Sequence, residues 1–398
     1  MHRQPLARGT EFINGHWFDG ERFHDRTMYV VEGRFVDPPI DATDTVDLKG
    51  GFVVPPFAEA HNHNVDENDP AAMIRRYLSS GIFYAKNPNN LPQTRAALRG
   101  VVNRPQSLDA IFANGGFTGP GGHPIDVVRR NIARGGMTEA DGDGAFYYAV
   151  DSEADLARVW PKFLATSPDF VKAYLLYSES QAARVADPKF EGWRGLAPAL
   201  LKDLGKRAHA AGLRVTVHIE SAADFHEAVE AGVDEIGHMP GFRPDVTGTL
   251  HDANAYLISD ADAAAAARKG IVVITTLGFT TRADAAVREQ LRAMAIENLK
   301  KLVQHGVTIG FGSDSYRGSV VEEVRYLRTL GVFTDAELLR VWSRTAAVSI
   351  FPNRKLGKFE RGFEVSFLVL AHNPLIDFEA ITQITSAWKS GERLNLSP

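Results

Sequence analysis

The chain has 398 residues, a formal net charge of −5, 44% hydrophobic and 23% charged residues, and no cysteine. The length suits a barrel of roughly 250–300 residues with a smaller unit attached. The missing cysteine excludes disulfides, thiolate metal sites and a Cys nucleophile. No Lys/Arg-rich stripe points to nucleic acid, no apolar run approaches the roughly 18 residues of a membrane span, and Met1–Phe12 lacks the apolar core of a signal peptide. A cytoplasmic location is therefore expected, with a small-molecule substrate as partner, no nucleic acid, no membrane, and a homo-oligomer allowed.

The first fifty residues read as short strands and turns. Met28–Val31 leads through Glu32-Gly33 into Arg34–Val36, a hairpin pattern, and Pro38-Pro39 ends that unit. From Gly51 the pattern changes to apolar β-type runs alternating with helical stretches. The expected strands are Phe52–Phe57 running on to His63, Gly81–Tyr84, Ala110–Ala113, Asp169–Tyr177, Leu213–His218, Val233–His238, Ile271–Thr275 and Val307–Gly312. Helical segments are expected between them, such as Asp155–Leu164, Ala197–Ala211, Ala222–Ala231, Ala261–Lys269, Asp284–His305 and Val320–Leu330. Eight such βα units predict a closed (β/α)₈ TIM barrel. Gly115–Tyr148 reads as a long Gly-rich loop with little periodicity. After Phe351-Pro352, Glu364–Leu370 and Ile381–Trp388 read as strands that join the N-terminal ones. The predicted architecture is a barrel over 51–352 with a small β-sandwich domain formed from both chain termini, 1–50 and 353–398.

The most informative stretch is Val53–His63. Side chains two apart on a strand face the same way, so His61 and His63 at a strand end can grip one ion. Alone, such a pair is weak evidence. However, His218 ends the run Val215–His218, His238 ends Glu235–His238 one unit later, and Asp314 follows Ile309–Gly312. Barrel strands deliver their C-terminal ends to one mouth, so these residues converge. Singly, each His could be a core histidine and Asp314 a helix cap; the set in this order argues for a metal site.

The order His-x-His, Lys, His, His, Asp on successive barrel strands resembles the amidohydrolase superfamily over nearly the whole chain. Gly51–His63 is similar to the opening motif, with Glu59-Ala60 where an Asp is usual. Leu356–Gly362, Phe367–Leu370 and Asn373-Pro374-Leu375 also look like that family, with Glu364-Val365-Ser366-Phe367 as an altered form of a usual tail segment. The branch it resembles holds imidazolonepropionase-like proteins and metal-dependent dipeptidases. The resemblance implies two divalent metal ions, zinc being the usual choice, and a CO₂-derived carboxylate on Lys172 that bridges them. His61, His63 and Asp314 would hold the first ion, and His218 and His238 the second. It implies hydrolysis of a C–N bond (amide, peptide or cyclic amide) by a metal-activated water, with Asp314 as proton shuttle.

Weaker signals surround this set. His123, in Gly119–Pro124, reads either as a substrate contact or as a turn-stabilising residue. Lys86 and Arg317 read as partners for a substrate carboxylate or as solvated loop charges, and Tyr177 as a substrate contact or a packing residue. His209, His226, His251, His305 and His372 fall outside the pattern and read as structural. Two other functions compete: a mononuclear deaminase-type or lactone hydrolase on the same barrel, and a non-catalytic metal-binding scaffold.

Overall fold

The computed structural model describes residues 7–244 and 252–396; His251 lies outside them. The chain opens with β1 (Arg8–Phe18), β2 (Phe23–Val31), β3 (Arg34–Val36) and β4 (Asp41–Val54). The barrel segment carries β5 (Phe57–Glu59), β6 (Ile82–Asn87), β7 (Asp109–Phe112), β8 (Gly116–Thr118), β9 (Tyr147–Ala149), β10 (Val171–Tyr174), β11 (Val215–His218), β12 (Glu235–Ile236), β13 (Val272–Ile274) and β14 (Thr308–Gly310). The tail adds β15 (Phe367–Leu370), β16 (Ile384–Lys389) and β17 (Glu392–Arg393).

Both termini build one seven-stranded sheet, ordered β17-β16-β15-β4-β1-β2-β3. Its β3 edge is tied back to the segment entering β15, because Phe35 N–H reaches Phe363 O at 3.1 Å and Gly362 N–H reaches Phe35 O at 2.8 Å. The sheet thus curls around an aromatic core in which Trp17 meets Phe35, Phe359 and Phe367 edge to face. The expected hairpin is present, with Glu32 and Gly33 both at positive φ in its turn.

The barrel has eight strand positions, with the third split between β7 and β8. β5, β6 and β7 pair in parallel, and β8 through β14 continue the parallel ladder, with β9 an extra strand beside β8. Asn114 and Gly115, both at positive φ, make the break in the third position. Asp169 N–H to Phe112 O (2.9 Å) spans it, and Ala60 N–H to Phe311 O (3.0 Å) closes the ring. The expected helices occur within one or two residues of their predicted ends.

Two expectations need correction. The run Phe52–His63 is not one strand. Phe52–Val54 ends β4 in the terminal sheet, and Pro55-Pro56, which offer no N–H to a ladder, separate it from β5. The stretch Gly115–Tyr148 is not aperiodic, since it contains β8, the helix Ile125–Ala133 and β9. Its glycines hid a helix with a single fully buried residue, Val128, and hence little apolar periodicity. Further helices between the strands lie at Pro70–Ser79, Pro92–Leu98 and Asp335–Arg340. No helix among the described residues is long and apolar enough to cross a membrane.

Candidate metal centre

Parallel register brings the candidate residues to one end of the barrel. Lys172 is level with Thr216, and Tyr174 with His218, so Lys172 sits one layer below His218. His238 follows β12 and Asp314 follows β14. His61 and His63 follow β5, where Ser313 and Asp314 both donate their N–H groups to His61 O, at 3.0 and 2.8 Å.

Two glycines make room for His61. A Cβ on Gly312 would lie 2.6 Å from His61 Cβ and 2.7 Å from its nitrogen, and one on Gly237 would lie about 3 Å from the His61 ring. The small residues before Asp314 and His238 are therefore a packing requirement of the site.

Asp314 Oδ1 lies 2.9 Å from His63 Nε2 and 3.4 Å from His61 Nε2. Ligand atoms of these three residues all fall within 4.8 Å of one another. The His61 ring is 4.5 Å from His238, which is 4.4 Å from His218. Both ring nitrogens of His61, Nδ1 of His63 and Nζ of Lys172 are buried without a hydrogen-bond partner. Orphaned buried polar atoms are costly, and here they cluster around one carboxylate. An ion can take one nitrogen from each of His61 and His63 together with the Asp314 carboxylate, so the donor set fits a divalent metal.

The surroundings fix the other histidines. His218 Nε2 meets Glu220 Oε1 at 3.0 Å, and His238 Nδ1 meets Thr276 Oγ1 at 2.8 Å. That leaves Nδ1 of His218 and Nε2 of His238 as the nitrogens available to an ion. Glu220 is itself held by Arg243, whose Nε donates at 2.9 Å. Asp224 anchors this turn by accepting the N–H groups of Glu220 and Ser221. Glu59 joins the first and last barrel strands, accepting from Ser313 N at 2.8 Å and from Asn62 Nδ2 at 3.1 Å. Glu220, Arg243, Thr276 and Glu59 escaped the sequence reading. A carboxylate two residues past a strand-end His, as in His218-Ile219-Glu220, is the one signal that could have found any of them.

Electrostatics follow from burial. Desolvation pulls the Lys172 amine down to about 7, with Lys86 adding to the effect and Asp314 opposing it. Burial also holds His218 and His238 well below the usual histidine range, in the neutral form that ligates metals. For Asp314, burial alone would raise the pKa, but the His238, His61 and His63 rings outweigh it and keep the carboxylate ionised.

The weaker candidates separate. His123 lies at the mouth, stacked on His218 at 5.1 Å with Nδ1 2.9 Å from Asp126. Arg317 is exposed in the loop after Asp314. Tyr177 is buried beneath the Arg184 guanidinium, 3.7 Å from its ring centroid. Lys86 is neither a loop charge nor open to a ligand. It lies on β6 inside the barrel, with Nζ 2.6 Å from both Glu235 Oε1 and Thr216 Oγ1. His209, His226 and His305 pair with Asp234, Asp262 and Asp260 at the surface. Tyr316, which sequence reasoning missed, stacks on His63 at 4.9 Å.

One support of the site should be visible in stability. Glu323 accepts the Leu277 N–H at 2.8 Å and also bonds Thr275 and Gly278, bracketing Thr276. Burial pushes its carboxyl from 4.5 up to about 7 against those bonds. The native protein therefore keeps a proton that the unfolded chain has released, and this contribution is present below about pH 4.5 and lost as pH rises through about 7. Between about pH 5 and 8, wild type should lose up to about 3 kcal/mol more stability than Glu323→Gln. Urea midpoints at the two pH values test this; parallel losses would exonerate Glu323.

The profile described as "Amidohydrolase family" matches residues 175–394. An uncharacterized protein of Mycobacterium tuberculosis (strain ATCC 25618 / H37Rv) is 23% identical over 328 residues, covering 77% of this chain and 76% of its own. Among solved structures, an amidohydrolase aligns with TM-score 0.72 at 19% identity, over 98% of this chain and 100% of that one. The A. niger ochratoxinase aligns with TM-score 0.72 at 16% identity, over 98% and 96%. A Xaa-Pro dipeptidase with bound methionine aligns with TM-score 0.71 at 17% identity, over 97% and 100%. The profile spans more than half of the chain, including the strand ends that carry His218, His238 and Asp314, and the chain belongs to the amidohydrolase family.

Proposed function

We propose that this protein is a metal-dependent hydrolase that cleaves a C–N bond of a small molecule at the barrel mouth. The observation that carries this reading is the convergence of His61, His63 and Asp314 ligand atoms within 4.8 Å of one another, with buried nitrogens of His61 and Lys172 that lack a hydrogen-bond partner. His61, His63 and Asp314 would hold one divalent ion and His218 and His238 a second, with zinc the leading candidate for both. Bound ions would supply Lewis acidity and acidify water.

Lys172 would bridge the two as its carbamate. Its amine is buried, unpartnered and drawn toward the neutral form. A neutral amine attacks CO₂, forming an N–C bond and releasing one proton, which turns a would-be cation into an oxygen donor. Asp314 would take a proton from the attacking water and deliver it to the leaving nitrogen. His123, beside His218 and oriented by Asp126, would contact the substrate carbonyl side, and Arg317 would meet an acidic group on the substrate.

This reading predicts about two equivalents of divalent metal per chain by elemental analysis. Lys172→Ala should lose metal while staying folded, and short carboxylic acids should restore part of it. A single equivalent after supplementation, unchanged in Lys172→Ala, would point to the mononuclear alternative. Turnover is best sought with dipeptides, N-acyl amino acids, lactams and lactones, and complete inactivity of metal-loaded protein on all four classes would favour a binding role.

A further inference from the structure

The candidate metal centre occupies the end of the barrel where the strands finish. A second concavity lies where they start. It is an open cavity of about 670 Å³ whose walls include Arg214, Val272 and Thr308. Arg214 immediately precedes β11, and Val272 and Thr308 are the first residues of β13 and β14. The same strands end at or near His218 and Asp314, so the two concavities face opposite ends of the barrel.

Its lining is one-sided in charge. Arg214, Arg340, Arg344, Arg354, Lys355 and Lys358 line it, with no acidic side chain among the lining residues. Neighbouring acids satisfy part of this set. Arg354 binds Glu364 and Asp109, and Lys358 meets Glu360 at 2.9 Å. Arg214 donates to Ser349 O and lies 3.8 Å from Asp234, and Arg340 is 3.9 Å from Glu337. Arg344 and Lys355 have no ion-pair or side-chain hydrogen-bond partner among the described residues. Val348, Leu356 and Phe363 add an apolar wall.

The backbone here is also irregular. Val341–Thr345 forms a π-helical turn, with Ala346 N–H bonded to Val341 O. Trp342 within it is buried and stacks on Phe57 at 3.7 Å, while Arg340 and Arg344 on either side both face the cavity. Such single π turns within α-helices occur frequently at functional sites. Converging cations focus a positive potential into a concave surface. A guanidinium fork fits two oxygens of a phosphate or carboxylate. The volume is that of a small-molecule site, and the apolar wall suits a ligand with an organic body.

We propose that this cavity binds a multiply charged organic anion, its charged groups held by Arg344, Lys355 and Arg340 and its carbon skeleton packed on Val348, Leu356 and Phe363. The inference is independent of the reaction at the other end.

Calorimetric titration of the full chain with ATP, citrate and inorganic pyrophosphate tests it. ATP or citrate should bind with one-to-one stoichiometry and at least about tenfold more tightly than pyrophosphate, with affinity falling as salt rises. The tighter of the two identifies the anion as an organic phosphate or a polycarboxylate. Arg344→Ala with Lys355→Ala should weaken that binding at least about tenfold while leaving bound metal unchanged. Both side chains are at least partly exposed, so this variant should fold; Arg344→Lys, which keeps the charge, should lose less. Failure of all three probes to saturate below about 1 mM would overturn the proposal. So would equal binding by the double variant, or an effect of the two substitutions on self-association alone in sedimentation.

Discussion

Asp314→Asn is expected to lower kcat by about 10²–10⁴-fold on any substrate the protein turns over, with the fold intact and most of the metal retained. The carboxylate lies within 3.4 Å of both His61 and His63 and is kept ionised by the rings around it despite its burial. On the proposed reading it would serve as a base beside the water that an ion would hold. Asn keeps the shape and one acceptor oxygen but cannot take a proton. The backbone favours this test. Asp314 has φ +49°, in the left-handed region, which Asn tolerates better than any other residue except glycine. Asp314→Ala would confound lost chemistry with backbone strain. Near-normal turnover by the Asn variant, with metal content verified, would mean that the proton moves through another group, and His123 would be the next to substitute.

The sequence shows the barrel because it writes each strand end as chemistry. His218, His238 and Asp314 each close a short apolar run, and parallel register carries them to one mouth without any knowledge of loops. The terminal sheet is legible for a similar reason, since Glu32-Gly33 and the alternating Phe and Val residues of its strands are local signals. The supporting groups are not local. Thr276 reaches His238 from the next strand, Arg243 approaches Glu220 from 23 residues away, and Glu59 grips Ser313 across 254 residues. Their partners are set by the closed ring, which pattern reasoning can anticipate but cannot index. The basic cavity was invisible for the same reason, because Arg214, Arg344 and Lys355 belong to different βα units or to the tail. The misplacement of Lys86 has another origin. A lysine near a strand end ordinarily sends its amine to water, and the sequence holds no local sign that Glu235, 149 residues on, will meet it inside.

That pair leads to the largest expected loss of stability. Lys86→Met should cost about 3–5 kcal/mol, the range for breaking a buried ion pair on one side. Lys86 and Glu235 are 2% and 1% exposed, and Glu235 Oε2 already lacks a partner. Without the ammonium, Glu235 would keep only the Thr216 hydroxyl, 3.1 Å from Oε1, and would face Phe170, over whose ring the amine sits at 4.2 Å. A carboxylate in that setting must protonate or draw water into the barrel. Removing both charges is a different operation, because the pair's mutual attraction and its desolvation cost vanish together. Lys86→Met with Glu235→Leu should therefore recover to within about 1–2 kcal/mol of wild type. Urea unfolding of the two single variants and the double variant gives the comparison through midpoints at fixed pH. A loss below about 1 kcal/mol for Lys86→Met would mean that water reaches this layer and that the pair behaves as an exposed one. Since β6, β11 and β12 contribute Lys86, Thr216 and Glu235, and β11 and β12 lead into His218 and His238, the single variant should also loosen the His218 and His238 side of the site. Loss of metal from Lys86→Met, but not from the double variant, would separate that effect from simple unfolding.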